Sequence, residues 1–378
     1  MQAWSPVLPF ARPLIGDDER AAVDAVLRSG WLTTGARCRE FEDALSSYFG
    51  GRPTRVVASG TAALEIALRL AGIGPGDEVI TCPLSWVATA NVVLSVGATP
   101  VFVDADAHTR NIDLSRIEPA IGPRTRMLLP VDLAGLPVDR DKLAAIAGRH
   151  HLRVLEDAAQ SMGANWRGAR IGSFGDLVSF SFHANKNMTT GEGGCLVMND
   201  ADEALRFEKL RLQGVTRFPD GSMDVDVLGG KANLTDIAAA LGIVQLRRLE
   251  EFNERRRTLA RLYFEHFDGS LGFELPPADL AQSNWHMFQP LLPLDRLRIG
   301  RGGFIDAMRR EGIAVGVHYP AMHLFALYRA RGYCKGQFPV AEDIGRRTVT
   351  LPLHAGMRDE DVLRVCDAVR RVTRAALR

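Results

Sequence analysis

Lysine is scarce in this 378-residue sequence: of 46 cationic residues only five are lysines (Lys142, Lys186, Lys209, Lys231, Lys335), and the rest are arginines. Net charge is nearly absent too, at +1, which excludes a broad basic face for nucleic acid or an anionic membrane surface. The five cysteines are scattered and no two have CxxC spacing, so neither a zinc site nor a disulfide framework is expected, no metal is expected, and a reducing cytoplasm is the expected compartment. The opening MQAWSPVLPFARPLIG lacks a charged segment followed by an apolar one, so no secretory signal is expected. One stretch without charge, Val79 to Val103, is long enough to cross a bilayer, but Pro83, Asn91, Gly97 and Pro100 interrupt it. It reads as strand, helix, strand in a buried sheet. Repeats, low-complexity segments and the GxGxxG dinucleotide fingerprint are all missing.

What is present is a globular composition, 46% hydrophobic and 24% charged, in a chain sized for one or two α/β domains. From about residue 54 to 200, short apolar runs (RVVAS, EVITC, PVFVDAD, RMLLPVD, RVLEDAA, LVSFSF, GCLVMND) alternate with helical patterns near 61–72, 85–96, 139–150 and 201–212. That alternation predicts βαβ units and a mostly parallel sheet. An amphipathic helix over DDERAAVDAVLRSG should end at Gly30, and one long helical pattern runs from Thr235 past RRLEEFNERRRTLARLYFEHF. Pro- and Gly-containing segments follow, so a large α/β domain over 1–255 and a smaller α+β domain over 256–378 are expected.

Three segments could carry chemistry. Ala58-Ser59-Gly60-Thr61-Ala62-Ala63 joins a strand to a helix; its small residues let backbone approach a ligand, and the free N–H groups at the helix start suit a phosphate, although a Ser N-cap alone has the same look. Glu156-Asp157-Ala158-Ala159-Gln160 places a carboxylate at the carboxyl end of a parallel strand, where open α/β sheets bind ligands; an Asp opening a turn is the plain alternative. In SFSFHANKNMTTGEGG, Lys186 follows an apolar strand beside a glycine-rich turn. Desolvation there would lower its pKa and make it a nucleophile and a base, and arginine could do neither. Trp86, in CPLSWVATANVV, is either core or a platform for a planar ring. His318 and His323 in VGVHYPAMH are a weak metal signal that no carboxylate or cysteine cluster supports. In combination, a phosphate cup, a stacking aromatic, an acid for a pyridine nitrogen and a lysine are the protein parts of a pyridoxal phosphate (PLP) site.

SGTAALEIAL, EDAAQSMGA, SFSFHANKNMTTGEGG and KANLTDIAAALGIVQL resemble the DegT/StrS family of PLP-dependent nucleotide-sugar aminotransferases, nearest in look to the UDP-4-amino-4-deoxy-arabinose branch. The likeness runs from LPFARPLIG through SGWLTTG to VGVHYPAMH and LPLHAGM. It implies the fold-type I, aspartate aminotransferase-like architecture in a homodimer with shared active sites. It implies that Lys186 carries the cofactor as a Schiff base, Asp157 pairs with the pyridine nitrogen, Trp86 stacks on the ring and Gln160 lies near the phenolic oxygen. Gly60, Thr61, Ala62 and Ser181 would hold the phosphate, and Asn233 would complete it from the neighbouring subunit. His318, Tyr319 and Lys231 would line the substrate site. The implied reaction takes an amino group from L-glutamate to a keto-sugar nucleotide, a UDP-4-keto sugar, with 2-oxoglutarate as co-product.

Three departures from the arabinose branch point to a roomier or differently shaped sugar pocket: Gln160 and Asp132 stand where that branch has His, and Gly230 and Ala232 where it has aromatics. A sugar dehydratase of the same fold is the first rival, but that group typically has His in place of the lysine. A non-catalytic regulator that kept the fold is the second, and intact Lys186, Asp157, Thr61 and Asn233 count against it. An α/β protein that binds ligands without PLP is the third.

Overall fold

The computed structural model describes residues 7–378, so the first part of the opening segment read for a secretory signal lies outside the described residues. Seven short strands form the central sheet: β1 (Thr54–Val57), β2 (Glu78–Thr81), β3 (Thr99–Phe102), β4 (Thr125–Leu129), β5 (Arg153–Asp157), β6 (Leu177–Ser181) and β7 (Gly194–Val197). Their order is β1-β7-β6-β5-β4-β2-β3. The pairs from β3 to β6 are parallel, as the alternation predicts, while β7 runs antiparallel to both β6 and β1. Strands β4 to β7 are largely buried on both faces, as in a parallel sheet covered by helices, with Glu156 and Asp157 as buried carboxylates at the end of β5. The charge-free stretch resolves into β2, a helix over Ala88–Ser95 and β3.

Helix α1 (Asp17–Ser29) ends at Gly30, whose φ of 72° gives the left-handed turn that a side chain would resist. Two helical assignments differ from the pattern. Helix α2 (Ala36–Tyr48) is additional, and its cap is remote: the Asp236 carboxylate accepts from the N–H groups of Gly35, Arg37 and Cys38 at 2.8, 3.1 and 2.9 Å. The long pattern after Thr235 is two helices, Asp236–Arg247 and Leu249–His266, broken at Arg248. Buried Glu19 of α1 takes hydrogen bonds from Gln245 Nε2 (2.7 Å) and Arg248 Nη1 (2.9 Å), which ties the break to α1.

Residue 255 falls inside the second of these helices. Leu249 packs with Phe41, Phe49, Phe180 and Phe182 on the sheet, whereas Leu259 and Tyr263 pack with Phe288, Phe304 and Val365 in a separate core towards the C-terminus. The N-terminal segment joins that second core, with Leu8 N–H donating to Gly312 O and Leu353 N–H to Phe10 O. Among the described residues, no helix is long and apolar enough to cross a membrane.

Candidate active site

The carboxyl ends of β1, β5 and β6 converge on one site. From β1 the chain turns at Ser59 into the helix Gly60–Leu70, and Ser59 Oγ caps it by accepting from Ala62 N–H at 3.1 Å. The N–H groups of Gly60 and Thr61 take no partner among the described residues, so the positive end of this helix is open for an anion. Gly60 is required by crowding: a Cβ there would lie 2.9 Å from Ser181 Cβ. The same closeness brings the Ser181 hydroxyl beside the helix start. Gly194 has the mirror reason, since its Cβ would lie 2.6 Å from Gly60 N.

Asp157 ends β5 and is 6% exposed. Its Oδ2 accepts from Thr89 Oγ1 at 2.7 Å, its Oδ1 accepts from Ala159 N–H at 3.3 Å, and Ser85 Oγ lies 2.9 Å from the Thr89 hydroxyl. Burial pushes the carboxyl above its ordinary pKa, against the pull of Thr89, Ala159 N–H and Lys186. Three residues on, Gln160 Oε1 accepts from Ala134 N–H at 2.8 Å, which fixes the amide so that Nε2 points at Tyr319 OH, 3.5 Å away. Ala134 holds a left-handed φ of 57° to make this contact.

Lys186 sits in the turn between β6 and β7. That turn is clamped by Phe182 N–H to Gly193 O, Thr190 N–H to Phe182 O, and Lys186 N–H to His183 O. Asn187 anchors it from below, donating to Asn253 Oδ1 (2.7 Å) and Asn284 O (3.0 Å) and facing His286 Nδ1 at 3.0 Å. The lysine ammonium makes no hydrogen bond or ion pair among the described residues. Burial lowers its pKa to about 8, with Asp157 opposing the drop. His318 is also held neutral, down to about 4 by burial and then by Lys186. Its Nδ1 lies 2.8 Å from Thr350 Oγ1, so one ring nitrogen is left for a ligand. The adjoining Tyr319 ring lies 6.0 Å from the exposed ring of Trp86.

Asn233 and Lys231 lie farther along the same edge. Ala58 N–H donates to Ala232 O at 2.8 Å, so their loop adjoins the chain's own helix start. Asn233 Nδ2 donates to Thr34 Oγ1 at 2.7 Å and its Oδ1 accepts from Lys231 Nζ. Asp132, in contrast, does not line the site: 1% exposed, it is paired with Arg140, so its difference from the arabinose branch does not reshape the sugar pocket directly. His323 is no ligand either; it is buried against Phe338 and its Nε2 lies 3.1 Å from Glu342. Among the described residues no cluster of His, Cys, Asp and Glu is placed to hold a metal ion. A groove of about 1210 Å³ lined by Asp113, Lys142, Arg149 and Trp166 lies elsewhere and does not include Lys186.

Thr89 and the Asn187–His286 pair are functional neighbours that the motifs did not disclose. A hydroxyl pair four residues apart, Ser85 and Thr89, inside the uncharged Val79–Val103 was the available signal. His286 in NWHMF carried none that separates it from a core histidine.

The parts fit PLP: unpartnered helix N–H groups and a hydroxyl for its phosphate, a buried carboxylate for its ring nitrogen, an exposed indole for its face and an unpaired amine for its aldehyde. Fold and site together define a PLP-dependent aminotransferase of the fold-type I architecture. The chain belongs to the DegT/DnrJ/EryC1/StrS aminotransferase family, which it matches over residues 13–370. It is 39% identical over 389 residues to the spore coat polysaccharide biosynthesis protein SpsC of Bacillus subtilis, with 100% of each chain covered. Its fold is similar to that of the putative sugar aminotransferase Spr1654 of Streptococcus pneumoniae in its PMP form (TM-score 0.93, 32% identity, 98% of this chain and 100% of that one), which is also solved in a PLP form. It is also similar to PseC of Helicobacter pylori, an aminotransferase involved in the biosynthesis of pseudaminic acid (TM-score 0.90, 28% identity, 98% and 100% covered). The chain is a sugar aminotransferase.

Proposed function

We propose that this aminotransferase moves an amino group from L-glutamate to a UDP-4-keto sugar, with Lys186 as the catalytic lysine. The observation that carries the assignment is the amine itself: enclosed, unpaired, lowered to about 8 and electrostatically coupled to Asp157. Bound PLP supplies an electron sink that stabilises negative charge at the carbon losing a proton. Lys186 Nζ takes the proton from the α-carbon of the amino donor and later delivers one to the sugar carbon that receives nitrogen. Asp157 keeps a proton on the pyridine nitrogen, and the Thr89 hydroxyl holds its second oxygen so that Oδ1 remains available. Gln160 Nε2 donates towards the phenolic oxygen, Trp86 covers one ring face, and Gly60, Thr61 and Ser181 bind the phosphate, whereas the Ala62 N–H expected there is already held by Ser59 Oγ.

In the proposed homodimer, Asn233 completes the partner's phosphate site, and Lys231, His318 and Tyr319 line the sugar nucleotide. Small Gly230 and Ala232 favour a pocket that admits a hexose. The relatives named for polysaccharide and pseudaminic acid biosynthesis support a sugar acceptor. The test loads the protein with cofactor, converts the cofactor to its aminated form with glutamate, and offers a panel of keto-sugar nucleotides. Return of the aldehyde-form absorbance with UDP-4-keto hexoses is expected. Turnover confined to a 4-keto pentose contradicts the pocket argument, and failure of glutamate alone contradicts the donor.

A further inference from the structure

Beneath the site lies a buried polar cluster that the chemistry above does not use. Asp132, Arg140, Glu156 and Ser161 are each 5% exposed or less. Asp132 Oδ2 accepts from Arg140 Nη2 at 2.7 Å and from Ser161 Oγ at 2.6 Å, while its Oδ1 accepts from Val138 N–H at 2.9 Å. The same Arg140 Nη2 lies 2.9 Å from Glu156 Oε2, so one guanidinium serves two carboxylates. Such burial is costly: replacing buried charges by well-packed apolar groups is often neutral or stabilising, so the arrangement is poorly explained by stability alone.

The position of the cluster suggests what it does. Asp132 lies in the loop after β4 and Ser161 in the loop after β5; the Asp132 carboxylate ties the two together. Both loops face the cofactor site through their other groups. Asp132 N–H donates to Asp157 O, Asp157 N–H donates to Pro130 O, and Ala134 N–H holds Gln160 Oε1. Glu156 and Asp157 are successive residues of one strand, so their side chains leave on opposite faces: Glu156 to Arg140, Asp157 to Thr89. A shift of either loop therefore moves the two groups that meet the ring of the cofactor.

We infer that Asp132, with Arg140, Glu156 and Ser161, is a positioning device that fixes Asp157 and Gln160 against the cofactor ring. Asp132 is a positioning residue only; no part of it reaches the ring. The inference rests on the assignment of Asp157 and Gln160 to the cofactor.

Two substitutions test it. Asp132→Asn leaves the Arg140–Glu156 pair balanced, and Ser161→Ala removes a single hydrogen bond, so a folded protein is available from at least the second. Cofactor affinity by titration, the pH at which the bound-cofactor absorbance changes, and apo-protein melting are measured on each. Expected for Asp132→Asn are cofactor affinity weakened by about tenfold, as for outer partners of bound metal ligands, a displaced absorbance titration, and lowered kcat with the KM for glutamate unchanged. Ser161→Ala should move the same quantities less far. Variants that melt earlier as apo-protein, yet keep wild-type affinity and the wild-type titration, overturn the inference and leave the cluster a stability element. Variants indistinguishable from wild type in every readout overturn it as well. If Asp132→Asn does not fold, Ser161→Ala decides by the same criteria. A wild-type chain with no borohydride-reducible cofactor at Lys186 refutes the underlying assignment instead, and is recognised before any variant is compared.

Discussion

At neutral pH an amine with a pKa of about 8 is still mostly protonated, so in the cofactor-free protein the nucleophilic form of Lys186 is the minor one. Its neutral fraction rises about tenfold between pH 7 and pH 9. The rate at which cofactor-free protein captures PLP should rise with pH over that interval and level off above it, as stopped-flow absorbance can record. A rate that keeps climbing about tenfold per pH unit through pH 9, with no levelling, would mean that burial does not tune this amine. Lys186 and Asp157 were legible in the sequence because each sits at the end of an apolar strand next to small residues, where a charge has no ordinary reason to be. Thr89 was harder to see: a threonine in a helix has many harmless readings, and only the 2.7 Å bond to Asp157 separates them. Asp132 was legible as a difference from relatives but was assigned to the wrong surroundings, since its partner Arg140 lies on the following helix and nothing local marks the pair.

Among the elements, the helix Gly60–Leu70 shows how closely the proposed phosphate cup depends on backbone contact. A Cβ at Gly60 meets backbone-anchored atoms of Ser181, which cannot swing aside as the end of a long side chain could. Gly60→Ala should cost about 1–3 kcal/mol of stability by overpacking. It should also weaken PLP more than it weakens pyridoxal, which lacks the phosphate; equal losses for the two ligands would contradict a phosphate role for this helix. Element type was readable wherever the signal was local, as in α1 with its acidic first turn and terminal glycine. Helix α2 shows where such reading stops. Its capping carboxylate is Asp236, about 200 residues downstream, so its start is written in a different part of the chain. The break at Arg248 has the same origin, because Glu19 supplies the partner.

For the whole molecule, two cores share one helix, with Leu249 in the sheet-side core and Leu259 in the C-terminal one. The active site receives β-strand ends from the first and His318 with Thr350 from the second. Around the Lys231–Asn233 loop, the surface carries large apolar side chains: Trp31, Leu32, Met223, Val225 and Leu228, the last 81% exposed. Leu32 adjoins the loop through Asp236 N–H, which donates to Leu32 O, and Leu228 precedes it by three residues in the chain. Apolar surface of this kind marks an interface, and the proposed homodimer would cover it. The double variant Met223→Asp, Leu228→Asp should shift the protein to a monomer in light scattering and lose cofactor affinity together with Asn233 of the neighbour. A dimer that survives both charges would place the interface elsewhere.

The scarcity of lysine makes the central assignment unusually easy to examine. Cofactor-loaded protein is reduced with borohydride, digested, and its peptides mapped by mass spectrometry, with Lys142, Lys209, Lys231 and Lys335 as internal controls. The account predicts the cofactor mass on the Lys186 peptide alone, at one per chain. Label on any of the other four lysines, or none on Lys186, would contradict it.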